Sequence, residues 1–99
     1  MTVYILFEKD YHLLYEGVFT SEKEVVKYIF AHDLNDYELR AYDADTNERH
    51  EVSESIKSLL HWLEWDAPDE VEWTHELRRY EYEQKVYQAA RKKFPELFD

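Results

Sequence analysis

At Ser53 the spacing of apolar residues changes from two to about 3.6, and that switch divides the chain into a sheet-forming half and a helical half. Upstream, Val3 to Phe7 is apolar at every position, which predicts a strand buried on both faces. Glu8 to His12 makes a polar turn, and Leu13 to Phe19 returns as a second strand. Gly17 interrupts it as a bulge or a point of close packing. Ser21-Glu22-Lys23-Glu24 is a capping box. The helix it opens carries Val25, Val26 and Ile29 on its core side and runs to about His32. Tyr37 to Asp43 alternates Tyr37, Leu39 and Ala41 against Glu38, Arg40 and Tyr42, a third strand. Glu48 to Val52 forms a short fourth.

Downstream, Ser53 is the expected N-cap of a helix whose apolar stripe is Ile56, Leu59, Leu60 and Leu63. Asp66-Ala67-Pro68-Asp69 breaks it. A long last helix then runs from about Pro68 to Lys93, where Pro95 stops it. A right-handed crossover through the first helix sets the third strand beside the first. The expected fold is α+β: a four-stranded antiparallel sheet, ββαββ in the order 2-1-3-4, followed by two C-terminal helices, the last one long. Residues 1–99 form a single domain, with the sheet in 1–52 and the helical part in 53–99. One sheet face is expected under the first helix and the other under the C-terminal helices.

The charge balance narrows function. Twenty-three acids against 12 Lys and Arg give a formal net charge of −11. Phosphate backbones and anionic membranes repel such a chain, so direct nucleic-acid or membrane binding is not expected. There is no Cys for a disulfide or thiolate site. A single Gly cannot build a phosphate loop, and no nucleophile elbow or His-x-x-x-His pair occurs. His32 with Asp33 and Asp36 reads as a helix-end turn before it reads as a metal site. The reading is therefore a non-enzyme without cofactor. The N-terminus lacks a basic leader and no run nears the ~20 apolar residues of a membrane helix. A cytoplasmic protein is the expectation.

Aromatic placement points to contact surfaces. Trp65 is expected to point away from its helix's stripe, and Tyr82 away from the stripe of the next. Around them gather Asp66, Asp69, Glu70, Glu72, Glu76 and Glu83, a candidate surface for a basic protein partner. On the last helix Trp73, Leu77, Tyr80, Gln84, Tyr87, Arg91 and Phe94 are read as one stripe. Its members Trp73, Tyr80, Gln84 and Tyr87 are the candidate seam of a homodimer.

The segment Val18-Phe19-Thr20-Ser21-Glu22-Lys23-Glu24-Val25-Val26-Lys27-Tyr28-Ile29 resembles small uncharacterised accessory proteins of tailed phages and prophages. Those proteins open with a hairpin and pass through a similar cap into a helix and a returning strand. The resemblance covers the N-terminal half. It implies a phage-type inhibitor or modulator of a host protein, such as a nucleic-acid enzyme or a CRISPR-type antiviral defence complex, with DNA mimicry as one mode. The alternative is a structural or regulatory homodimer joined through the last helix.

Overall fold

The computed structural model describes residues 1–9, 12–32, 34, 36–66 and 76–98, excepting the side chains of 76–80. Strand β1 (Thr2–Lys9) pairs antiparallel with β2 (Leu13–Phe19) on one side and with β3 (Tyr37–Asp43) on the other. A two-residue strand, β4 (Arg49–His50), completes the order β2-β1-β3-β4. The α+β class, the antiparallel sheet and its strand order agree with the sequence reading. Helix α1 (Glu22–Ala31) connects β2 to β3, and α2 (Glu54–His61) follows β4, continuing as a π-helical stretch Trp62–Asp66. Helix α3 (Glu76–Lys93) ends one residue before Phe94, and Pro95–Leu97 closes in a 3₁₀ turn. The expected start of that helix near Pro68 lies outside the described residues, which show it for 18 residues.

Caps and turns follow local chemistry. Ser21 accepts a hydrogen bond from the Glu24 amide (3.2 Å) and Ser53 accepts one from the Ile56 amide (3.2 Å), so both hydroxyls satisfy orphan donors at helix starts. Glu22 has a longer reach: its carboxylate accepts from the Ser53 amide (2.8 Å) and the Ser53 hydroxyl, tying the starts of α1 and α2 together. Between β3 and β4 the Asp43 carboxylate accepts from the amides of Asp45 and Thr46, while Asn47 takes a left-handed φ of 61°. In β2 the register shifts between Leu6↔Gly17 and Phe7↔Tyr15, so the extra residue of the bulge is Glu16, beside the expected Gly17. A Cβ at Gly17 would come within 3.3 Å of the Phe19 ring.

Among the described residues all the helices pack on one face of the sheet, and this corrects the expected two-sided sandwich. The core joins Leu6, Leu39 and Tyr37 from the sheet to Val25, Val26 and Ile29 of α1, Ile56 and Leu59 of α2, and Val86 and Ala90 of α3. Phe94 and Leu97 complete it. Leu6 is fully buried, whereas Ile5 and Phe7, expected to be buried on the other side, are only half-buried and lie outside this cluster. The fourth strand is shorter than Glu48 to Val52, because at Glu51 the chain leaves the ladder to enter the cap of α2.

The last helix turns a different seam inward. Tyr82, Val86, Ala89 and Ala90 pack against the core, at spacings of three and four, and the two alanines let the helix lie close. Gln84 and Arg91, members of the stripe read as a homodimer seam, do not join this inward seam and are exposed. Tyr87 flanks the seam and meets Phe30 (centroids 5.5 Å) and Phe98 (5.6 Å) edge-on. In α2, Ile56 and Leu59 are fully buried as expected, Leu60 and Leu63 only partly. Trp62, the first residue of the π-helical stretch, is buried edge-on against Phe94.

Candidate functional site: the helix-free face of the sheet

In an antiparallel sheet, residues directly opposite each other share a face. The register therefore groups Val3, Ile5 and Phe7 of β1 with Tyr15 and Val18 of β2 and with Glu38, Arg40 and Tyr42 of β3. This is the face away from Leu6 and the helices. Two charged groups, Glu38 and Arg40, accompany it, but Val3, Ile5, Phe7, Tyr15, Val18 and Tyr42 are apolar or aromatic where a solvated face is ordinarily polar. None belongs to the core cluster or packs against it. Val18 is 51% exposed and Tyr15 65% exposed. Leu13, opposite Lys9 at the start of β2, is exposed on the same face, so the apolar surface runs on toward the β2 edge.

Arg40 organises the middle of this face. Its guanidinium carbon stands 5.1 Å from the centroid of the Phe7 ring, within cation–π range. Its Nε donates to the Glu38 carboxylate, and that bond is the leading cause that raises the Arg40 pKa, with Tyr42 contributing. The cation is held over the aromatic ring by a carboxylate on the same strand. Such an arrangement leaves rings and guanidinium ordered and available to a partner, at little entropic cost on binding.

On the helix side the polar groups are engaged within the fold. The Tyr28 hydroxyl donates to the Glu16 carboxylate (2.7 Å), and this bond is the main reason its pKa is raised. The His32 ring stacks on Tyr28 (3.9 Å) and its Nδ1 bonds the Tyr28 carbonyl (2.9 Å). Asp33, its companion in the metal reading, lies outside the described residues. Among the described residues no three His, Asp or Glu side chains are grouped to hold a metal ion.

The sequence-derived contact surfaces are placed in part. Trp65 is 69% exposed and Asp66 is exposed, as expected. Tyr82 is corrected: it is half-buried against the core, because the α3 seam runs through it. Glu83 is half-buried and Gln84 exposed. Asp69, Glu70, Glu72 and Trp73, and the side chains of Glu76 and Tyr80, lie outside the described residues. The helix-free face was missed as a site although its signal stood in the sequence: an all-apolar Val3 to Phe7 serves two faces, only one of which the described core residues cover.

Comparison with known proteins adds no relative. No family model, no curated protein and no solved structure matches the chain. No helix among the described residues is long and apolar enough to cross a membrane.

Proposed function

We propose that the protein acts by binding another protein, with the helix-free face of the sheet as its principal contact surface. The observation that carries this reading is the set of Val3, Ile5, Phe7, Tyr15, Val18 and Tyr42 on a face that none of the described core residues covers. Contiguous apolar surface of this kind marks interaction sites in soluble proteins. Tyr, Phe and Arg side by side are the residue types that most often anchor protein interfaces. Inhibition or modulation of a host or defence protein, in the cytoplasm, remains the role that the phage-type resemblance suggests. A photo-crosslinking residue at Tyr15 or Val18 tests the surface. It should trap the partner in the organism's own lysate, while the same residue at Ser58, exposed on α2, should not. Equal trapping at all three positions would refute the assignment.

A second reading is favoured by Trp65, whose ring is 69% exposed beside Asp66. There the acid-rich junction between α2 and α3 would meet a basic partner surface. The homodimer through α3 gains less support, since Tyr87, one of its proposed anchors, packs against Phe30 and Phe98 of its own chain.

A further inference from the structure

Strand β2 forms one edge of the sheet: it pairs with β1, and no strand lies on its far side among the described residues. The Lys9 amide donates to the Asp36 carbonyl (2.8 Å), which turns the backbone groups of Lys9 toward β3. Such groups alternate along an antiparallel strand, so Tyr4, Leu6 and Glu8 turn theirs toward β2. Their opposites Phe19, Gly17 and Leu14 complete that ladder. The N–H and C=O of Leu13, Tyr15 and Val18 therefore face outward, along an open edge.

The side chains along this edge are apolar and exposed: Leu13, Leu14, Tyr15 and Val18. Edge strands are ordinarily guarded by Lys, Pro, shortness or a bulge. Strand β2 has seven residues and neither Lys nor Pro. Its one charged residue, Glu16, is turned to the helix side, where its carboxylate accepts from the Tyr28 hydroxyl (2.7 Å). The remaining guard is the bulge, which sets Glu16 and Gly17 against the single residue Leu6.

We propose that β2 pairs antiparallel with β2 of a second copy, about a two-fold axis at Tyr15, joining two four-stranded sheets into one of eight strands. The edge is self-complementary in this register. Counting the bulge as one step, Leu13 stands opposite the partner's Val18 and Leu14 opposite the partner's Glu16 and Gly17. The bulge then meets one residue on its outer side, as it already meets Leu6 on its inner side. Gly17 leaves room there: a Cβ on it would lie 3.3 Å from the Phe19 ring, so Leu14, set opposite, reaches that ring. The two tyrosines form an aromatic cross-strand pair. Charge selects the occupant. A chain of net charge −11 repels its own copy where carboxylates meet, and among the described residues of this edge each copy brings one, held by Tyr28. The nearest charges on β1, Glu8 and Lys9, are opposite in sign and sit one strand behind. A basic segment finds little counter-charge here, whereas the neutral strand β2 fits itself. The pairing does not rest on the partner proposed above, since it leaves the helix-free face open and continues it across two copies.

The chain has no Cys, so a single Cys variant carries one thiol. Opposed residues of a hydrogen-bonded pair have Cα atoms about 5.5 Å apart, within the span of a disulfide. Tyr15→Cys should therefore cross-link to its copy on oxidation with diamide at least tenfold faster than Ser58→Cys, exposed on α2. Leu13→Cys and Val18→Cys should each resist alone, because like residues there stand about 13 Å apart, yet a mixture of the two should cross-link. Sedimentation of the parent at about 100 μM should show a dimer. Tyr15→Lys, with unchanged circular dichroism, should raise the dissociation constant at least tenfold. Ile5→Lys, central on the helix-free face, should leave the dimer intact. A monomer mass for the parent, or equal cross-linking at Tyr15 and Ser58, would overturn the proposal. So would loss of the dimer in Ile5→Lys with Tyr15→Lys unaffected, which would move the contact to the helix-free face.

Discussion

The Arg40 guanidinium lies 5.1 Å from the centre of the Phe7 ring, on the side of the sheet opposite the fully buried Leu6. Arg40 lies directly across from Ile5 and Phe7 directly across from Glu38, so the contact is diagonal between neighbouring strands. A one-sided core and an apolar outer face meet along β1.

The two faces of β1 should respond oppositely to charge. Leu6→Lys places an unpaired ammonium in the core and should leave the domain unfolded at 25 °C. Ile5→Lys, one residue away, should change stability by no more than about 1 kcal/mol, the scale of surface and strand-propensity effects. Urea unfolding followed by circular dichroism distinguishes them. If Ile5→Lys is as damaging as Leu6→Lys, the outer face is covered after all.

Glu22 joins the starts of α1 and α2 through both the amide and the hydroxyl of Ser53. Hydrogen bonds to a charged acceptor are stronger than neutral ones, so Glu22→Ala should cost about 1.5 kcal/mol. Ser53→Ala removes the cap of Ile56 as well and should cost about the same. Because the two share one interaction, the double variant should fall short of the sum. Full additivity in urea midpoints would show that the contact carries no energy.

Phe30, Tyr87 and Phe98 meet pairwise at 5.4 to 5.6 Å. The trio fastens the C-terminal turn onto α1 and α3. Phe98→Ala should lower stability by about 2 kcal/mol, less than a fully buried Phe because Phe98 is only partly covered. A chemical-denaturation midpoint unchanged by this variant would show that the turn is not fastened there.

Acid sensitivity should include Asp43. The amides of Asp45 and Thr46 hold its carboxyl below the ordinary value of 3.8, with the N-terminal amine and His50 adding smaller effects. A depressed folded pKa contributes stability above the unfolded pKa, and that contribution is lost as pH falls through the folded value. The loss from Asp43 therefore sits below about pH 3.8. Asp43→Asn should show a smaller drop in Tm between pH 7 and pH 3 than the parent. An equal drop would mean that the turn bonds do not distinguish the two protonation states.

The strands, their order and the first two helices were legible because period two, capping serines and turn residues each carry a local physical cause. Leu39 and Ala41 alternate with Arg40 and Tyr42, and Ser21 and Ser53 cap as their hydroxyls allow. What covers the second face of β1 was not legible. A run such as Val3 to Phe7 has the same composition whether a helix of its own chain or an outside partner lies on it. The inward seam of α3 was not legible for a related reason. Ala89 and Ala90, whose small size brings the helix to the core, carry a weaker signal than bulky aromatics at seven-residue spacing. Of the contact residues, Trp65 was readable as exposed, while Tyr82 depended on the rotation of α3 about its axis.

The central claim is that a partner docks on the helix-free face. Its most direct test compares two folded variants in partner capture at matched concentration, Ile5→Lys with Val18→Lys combined, and Trp65→Ala. The account predicts that the double variant loses its partner at least tenfold while Trp65→Ala keeps it. Retention by the double variant with loss in Trp65→Ala would contradict the account and assign function to the α2–α3 junction.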